Sequence, residues 1–464
     1  MSNLLTGALP KIVRVIPRNR NIEAMLLLFA SGLFAFELAQ IQLSVIEILT
    51  PEIFFYWMPP TVLAFILHFI LRMRASEADP MILPIAFVLN GLGLSMIYRL
   101  DLGTIANGGD ELFGVRQIIW TVVAMAVAAA VIIYVPSHLF LRRYVYVSMF
   151  VGIGLLLAPS LPLIGRNING AQLWIGIGPF TFQPGELAKI ALTVFFAGYL
   201  VTRRESLALV GRKILGLRIP RARELGPILV IWGASLLVLV LQRDLGTSLL
   251  YFGLFIVLVY VATGRAIYVI VGMTMFVTGA LVASRIMSYV SGRFDSWLNP
   301  FDQANYDAVG GSYQLAQGIF GLAHGNLLGT GLGGGIPHLV PLAESDFIIA
   351  SLGEELGLVG MFAILGLYLL LVSRGLRIGF NHPDDFSKLL ATGLSFVIAL
   401  QCFIVIGGVT RVVPLTGLTT PLLAAGGSSL LANWIIVGVL LRISDSIGGG
   451  EKAFDKQSQG FGGR

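Results

Sequence analysis

The sequence predicts an all-α polytopic membrane protein of about twelve transmembrane helices, with one long outer loop and both termini in the cytoplasm. Three observations carry that expectation. Charged residues make up only 12% of the 464 and hydrophobic residues 56%, with a mean hydropathy of +0.85. Ordinary globular proteins draw on about 25% charged residues to cover a soluble surface. The apolar residues are gathered in blocks near the ~20 residues that a helix needs to cross a hydrocarbon core. Lysine and arginine then fall on alternate connections: 23 of the 31 lie on one side, seven on the other, and Lys189 lies inside a span.

Spans are expected at 22–44, 53–72, 82–99, 115–135, 143–162, 184–202, 225–242, 246–263, 266–284, 350–373, 387–409 and 424–442. Their continuous apolar character excludes an outer-membrane barrel, which would alternate over segments of about ten residues. It also excludes a disordered or fibrous chain. The lone cysteine, Cys402, sits in an apolar block, so a disulfide framework or cysteine-based metal site within one chain is excluded. The cytoplasmic side collects Lys11, Arg14, Arg18 and Arg20, the seven basic residues from Arg203 to Arg223, and Arg442, Lys452, Lys456 and Arg464. The outer side holds Arg99, Arg116, Arg166, Arg243, Arg285, Arg293 and Arg411. This is the positive-inside pattern, so the net charge of +6 reflects topology and not nucleic-acid binding. The first apolar block is longer than a signal-peptide core and no small-residue cleavage site follows, which favours an uncleaved span. Residues 1–21 are expected as a basic cytoplasmic segment, and the polar, Gly-rich 444–464 as a disordered cytoplasmic tail.

Chemistry is expected where polar groups break this pattern. Residues 285–345 form the long outer loop and carry Asp295, Asp302, Asp307 and Glu344; loops of that length are usually functional. Its Phe294, Trp297, Phe301, Tyr306, Tyr313 and Phe320 suggest packing on the bundle mouth or dipping into the interface. The run Gly329–Gly335 lacks the Lys-Ser/Thr of a phosphate loop and is expected to be flexible backbone. Glu186 and Lys189 lie at i,i+3 on one helix face. Ionisable groups at that depth point to function, with a structural ion pair as the alternative. Gln242–Thr247, with Arg243 and Asp244, sits at a tight outer turn, and Ser345-Asp346-Phe347 and Gly353–Gly357 flank a span entrance. Thr410–Pro421, with two prolines and a glycine, is expected to enter the outer leaflet as a broken helix. The small residues Ala424–Ser429 would let a neighbouring helix approach closely. Arg411, an outer cation, suits a phosphate or pyrophosphate. These features fit an enzyme acting on an anionic lipid-linked substrate and fit a transporter equally well.

The segments Asn169-Gly170-Ala171 with Trp174, Phe182–Lys189, Gln242–Thr247, Asn299-Pro300, Asp307–Gln314, Pro341–Ile348, Gly353–Gly357 and Pro414–Ser429 occur in order along the chain. Together they resemble the SEDS family (shape, elongation, division and sporulation) of RodA and FtsW type. The resemblance implies a ten-span core at 82–443, preceded by an extra two-span hairpin at 22–81. Departures at Arg243, Ala308, Arg411 and Ala424-Ala425, with that hairpin, favour an actinobacterial RodA-like branch over an FtsW-like one. The family implies peptidoglycan glycan-strand polymerisation on the outer face of the bacterial plasma membrane. Lipid-pyrophosphate-linked glycan is transferred to the GlcNAc 4-hydroxyl of lipid II, in elongation rather than division.

The family's catalytic aspartate falls on Asp307, with Asp302 the nearby decoy. Such a carboxylate would act as general base, because a sugar hydroxyl is a poor nucleophile until its proton is withdrawn. The substrate and pyrophosphate-binding set expected beside it is Arg243, Asp244, Arg293, Arg411, Glu186, Lys189, Gln314, Glu344 and Asp346. A divalent cation, Mg or Mn, is the one cofactor considered, as an alternative to these arginines in neutralising the leaving pyrophosphate. The implied protein partner is a class B penicillin-binding protein, a transpeptidase. A lipid II flippase and a scaffold for that transpeptidase are the rival functions.

Overall fold

The computed structural model describes residues 18–461, apart from 111, 136, 163, 169, 178–179, 209–212, 215–216, 219–232, 235–236, 238–239, 241 and 309. Eleven helices among the described residues are long and apolar enough to cross a membrane. They are α1 (Arg18–Val45), α2 (Glu52–Arg74), α3 (Ile82–Ala106), α4 (Gly114–Tyr134), α5 (Val145–Leu157, extended by 3-10 turns at both ends), α6 (Gly185–Ala208), α7 (Leu245–Thr263), α8 (Ala266–Ile286), α12 (Ile348–Asn381), α13 (Asp385–Val409) and α14 (Gly427–Phe461). The expected span 225–242 falls largely outside the described residues, as do residues 1–17, 462–464 and Asn169. The chain is thus a largely helical, multi-pass membrane protein.

Three expectations are revised. The segment after α5 is a three-stranded antiparallel sheet, β1 (Gly165–Ile168), β2 (Ala171–Ile177) and β3 (Phe180–Phe182), in the order β1-β2-β3 with Arg166 opposite Trp174 and Ile175 opposite Phe182. Gly170, just before β2, has φ +80°, the left-handed conformation that tight hairpin turns favour. The long loop 285–345 is also built of secondary structure: α9 (Ser288–Leu298), α10 (Gln303–Asp307) and α11 (Tyr313–Gly325). Finally, α14 continues to Phe461 through the segment expected to be disordered. The run Glu451–Gln459 contains no proline or glycine, and six of its nine residues (Glu451, Lys452, Ala453, Lys456, Gln457 and Gln459) are good helix formers.

α3 lies at the centre of the bundle. Most of its length is buried, whereas α1, α2 and α4 each leave the greater part of a face open to lipid. Hairpin α1–α2 packs along α3 and α4, is braced within itself at one end, and is tied by polar contacts to α3. Arg20 pairs with Glu23 at 2.5 Å and donates to the Ala78 carbonyl, and His68 Nδ1 lies 2.6 Å from Glu23. Further along, Ser95 donates to Glu37 at 3.0 Å, and Gln42 donates to Tyr98 at 2.8 Å.

The stretch between α13 and α14 has no helix from Thr410 to Gly426, as the broken-helix expectation required. Its carbonyls are met by buried side chains from four helices. Gln401 donates to Thr419 (2.9 Å), Tyr368 to Pro421, Asn90 to Leu422 (3.5 Å) and Gln117 to Ala424 (3.1 Å). Trp434 holds Asn90 from behind at 3.2 Å. This non-helical backbone forms the floor of one end of the bundle, the end where the loop helices gather.

α12 breaks at Gly357, where φ is +68° and ψ −172°, a conformation open in practice to glycine alone. A Cβ there would lie 2.2 Å from the Gly329 nitrogen. Gly357→Ala is therefore expected to combine backbone strain of about 1–3 kcal/mol with a steric clash. The purified variant should melt at lower temperature than the parent in the same detergent; an unchanged melting temperature would contradict the break.

Candidate active site

Directly above the break in α12, the Gly329–Gly335 run is folded rather than flexible. Thr330 and Gly331 amides donate to the Glu354 and Glu355 carbonyls, both at 3.0 Å. The Glu355 carboxylate accepts from Gly333 N at 2.8 Å and from Arg99 Nε at 2.9 Å, while Arg99 also donates to the carbonyls of Gly333 (3.3 Å) and Gly335 (2.8 Å). Glu354 accepts from Ile336 N at 3.1 Å and lies 2.8 Å from His324 Nδ1. Glu354, Glu355 and Arg99 are all buried. The carboxylates expected only to flank a span entrance therefore organise a loop, and Arg99 on α3 is their cation. Gly333 abuts the hairpin: a Cβ there would lie 2.7 Å from that of Ser44.

The preceding part of the loop carries Asp307. α10 is a single turn in which Gln303 Nε2 donates to Asp307 at 2.6 Å, leaving the carboxylate exposed. The turn is held from below. Ser312 Oγ donates to Pro300 O (2.7 Å), Ser312 N to Asn305 O (2.9 Å) and Asn305 Nδ2 to Asn299 O (3.1 Å). Tyr306 and Tyr313 meet edge to face at 5.1 Å, and Gln317 donates to the Tyr306 hydroxyl at 2.9 Å. Gln314 donates to Pro341 O at 2.8 Å, which ties α11 to the segment leading into α12. Asp302 is also exposed, just before α10.

A second group surrounds Arg293 of α9. Its guanidinium donates to Leu415 O and to the Tyr289 hydroxyl, both at 3.4 Å, and lies 5.3 Å from the Tyr289 ring centroid. Asp244 and Asp346 are its acidic neighbours, and Glu344 lies close to Asp346. Burial, aided by Glu344 and Asp244 and opposed by Arg293, pushes the Asp346 carboxyl up to about 7. Asp244 is buried and caps α7, accepting from Thr247 N at 3.0 Å and from the Thr247 hydroxyl. Burial raises its pKa, while the Thr247 hydrogen bonds oppose the rise. Arg243 stands exposed beside this group with φ +55° and bears electrostatically on Tyr289.

Other expected binding residues are engaged in structure. Lys189 Nζ lies 2.5 Å from Glu186 and donates to Gln401 Oε1 at 2.9 Å, all three buried. That triad joins α6 to α13 and, through Gln401, to the Thr419 carbonyl, which is the structural-pair alternative. Arg411 donates to the carbonyls of Trp297 (2.8 Å) and Leu298 (2.7 Å) and accepts from Trp297 Nε1 at its own carbonyl (3.1 Å). A cation on the last carbonyls of α9 complements the negative end of its dipole. The guanidinium expected to hold pyrophosphate is thus occupied in fastening the loop to the floor.

Between α4, the sheet and the Gly426–Ser428 turn lies a cavity of roughly 200 Å³. Trp120, Trp174 and Phe113 give it aromatic walls, and Arg116, Gln117, Glu344, Ser345 and Ser428 give it polar ones. The Glu344 carbonyl accepts from Ala425 N at 2.7 Å, which fixes this wall to the floor. Arg116 and Trp120 were not anticipated as site residues. Their signal was available in the exposed cation at the start of α4, two residues after Gly114. Among the described residues, no group of three or more His, Cys, Asp or Glu is placed to hold a metal ion. The described side chains therefore do not form a cage for Mg or Mn.

These features define a multi-pass membrane protein with a folded acidic loop and an aromatic, cation-bearing cavity over one end of the bundle. Residues 80–447 match the cell cycle proteins of FtsW, RodA and SpoVE type. The chain is 44% identical over 431 residues to the peptidoglycan glycosyltransferase RodA of Mycobacterium tuberculosis, covering 92% of this chain and 91% of the relative. To that of Mycobacterium leprae it is 42% identical over 451 residues, covering 95% and 94%. Among solved structures, a chain from a peptidoglycan synthase complex that coordinates polymerization and crosslinking aligns with a TM-score of 0.53 at 25% identity. That alignment covers 85% of this chain and 98% of the other. The protein belongs to the FtsW/RodA/SpoVE family.

Two outcomes are expected from the charges. Arg99→Ala leaves Glu355 buried without its cation, a change worth about 3–5 kcal/mol. Hydrogen exchange at the Gly333 and Ile336 amides should then lose its protection, whereas the double variant Arg99→Met/Glu355→Met should lose less stability than the single one. Separately, a carboxyl whose folded pKa lies near 7 rather than ~3.9 stabilises the fold most at low pH, and loses that contribution as pH rises through the folded value. Asp346→Asn should flatten the fall in melting temperature between about pH 4 and 7; an identical slope in both proteins would contradict the burial of this group.

Proposed function

We propose that the chain is a peptidoglycan glycosyltransferase that polymerises glycan strands on the outer face of the bacterial plasma membrane during elongation. Family membership and the glycosyltransferase names of its mycobacterial relatives favour this over a flippase or a scaffold. The observation that carries the site assignment is the placing of Asp307, an exposed carboxylate on an ordered turn, paired with the neutral Gln303 instead of a cation.

The chemistry follows from what each group is free to do. Asp307 withdraws the proton from the GlcNAc 4-hydroxyl of lipid II as the oxygen forms its bond to the anomeric carbon of the donor MurNAc. The bond from that carbon to undecaprenyl pyrophosphate breaks in the same displacement. One positioned base suffices, as in the base half of an inverting glycosidase, because pyrophosphate leaves readily once its charge is neutralised. Arg243 and Arg116, both exposed, are better disposed for that than Arg411. The aromatic walls of the Trp120–Trp174 cavity suit the apolar face of a sugar ring, and its Gln117, Ser345 and Ser428 suit sugar hydroxyls. The partner is a class B penicillin-binding protein, in keeping with the solved complex whose chain this one resembles.

Asp307→Ala is expected to reach the membrane at parental levels and to lose polymerisation of purified lipid II in detergent. Loss of at least about 10²-fold is expected for removing a general base. Asp302→Ala should stay active; the reverse pattern would overturn the assignment. Arg243→Gln should lower the rate without abolishing it, and adding the cognate transpeptidase should raise the parental rate.

A further inference from the structure

The break in α12 also marks a depth in the membrane. Two helical pieces meet at Gly357, and the later one alone is long enough for a hydrocarbon core of ~30 Å. The part after Gly357 is about 36 Å long and is strongly apolar, exposing Leu358, Val359 and Phe362 on its surface. The part before Gly357 carries the buried Glu354 and Glu355. The apolar crossing therefore begins at Gly357.

The outer loop returns to that same level. Asn326 and Leu327 carbonyls accept from Leu358 N (3.0 Å) and Val359 N (3.1 Å). The corner they form leaves Leu327 59% and Leu328 78% exposed, beside Leu358 at 49% and Val359 at 53%. Two adjacent leucines bared to this degree would be costly in water, and they are continuous with a surface that already faces lipid. We propose that the Leu327–Leu328 corner is seated in the outer membrane interface, so that the loop bearing Asp307 is anchored in lipid as well as in protein. The occupant of this apolar surface is the acyl boundary of the bilayer. A second apolar pair of the same loop, Phe301 stacked on Phe320 at 5.7 Å with both rings half exposed, adds to the surface available there. The proposal stands on the loop's geometry and does not depend on which reaction the chain performs.

Site-specific fluorescence tests it, since Cys402 is the single native cysteine. In a Cys402→Ser background, Leu328→Cys and Leu327→Cys are each labelled with an environment-sensitive fluorophore and reconstituted as full chains in phosphatidylcholine–phosphatidylglycerol vesicles. Asp302→Cys serves as the aqueous reference. Labels at 327 and 328 should show blue-shifted emission, quenching by lipids carrying a nitroxide near the headgroup, and loss of quenching by iodide relative to 302. Labels at both positions as open to iodide as the one at 302 would overturn the proposal. So would labels open to iodide in the chain alone that become protected only when a transpeptidase is added, which would make the occupant a protein.

Discussion

Backbone that leaves the helix inside a packed bundle has no water to bond to, and this constraint organises the loop end of the protein. Each carbonyl left unmet there would cost several kcal/mol. Between Thr410 and Gly426 the chain meets the demand with Gln401, Tyr368, Asn90 and Gln117, drawn from four separate helices. Those helices are consequently fixed relative to one another by the segment they solvate. The outer loop is then built upon the same backbone, through Arg293 at Leu415, Arg411 at Trp297 and Leu298, and the Glu344 carbonyl at Ala425. A polar residue at depth is expensive in isolation; here the expense is offset because each one closes a hydrogen bond that the fold would otherwise lack.

Buried charge is used in the same way. Arg99 with Glu355, and Lys189 with Glu186, are ion pairs out of reach of water, where removing one member is far more damaging than replacing both. Each pair also spends a further donor on a neighbour: Arg99 on the carbonyls of the glycine run, and Lys189 on Gln401 of α13, which in turn meets the Thr419 carbonyl of the floor. Asp307 differs from all of these. It is exposed, lightly held and paired with a neutral amide, which leaves its basicity available for chemistry.

The spans that fall on described residues and the helix break after α13 were legible because hydropathy, length and proline placement act locally. The acidic loop was legible too, and the structure leaves Asp307 exposed on it with Gln303 as its partner. What escaped were the long-range pairings. Nothing near Arg99 in the chain indicates that Glu355 will meet it 256 residues later, and the glycine run looked flexible because its partners lie beyond it. Arg411 was taken for an anion site because an outer cation and a carbonyl-binding cation are alike in sequence. The sheet after α5 did leave a local signal in Asn169-Gly170, overshadowed by the apolar composition on either side.

The α1–α2 hairpin lies outside the stretch matched by the family, which begins at residue 80. Yet it holds Ser95 through Glu37 and Tyr98 through Gln42, and it touches the glycine run at Ser44. An expression clone trimmed to residues 80–447 would strip these groups of their counterparts and withdraw the Ser44 wall from the glycine run. The appendage has become load-sharing scaffolding, and minimal versions of this enzyme should be designed around it rather than without it.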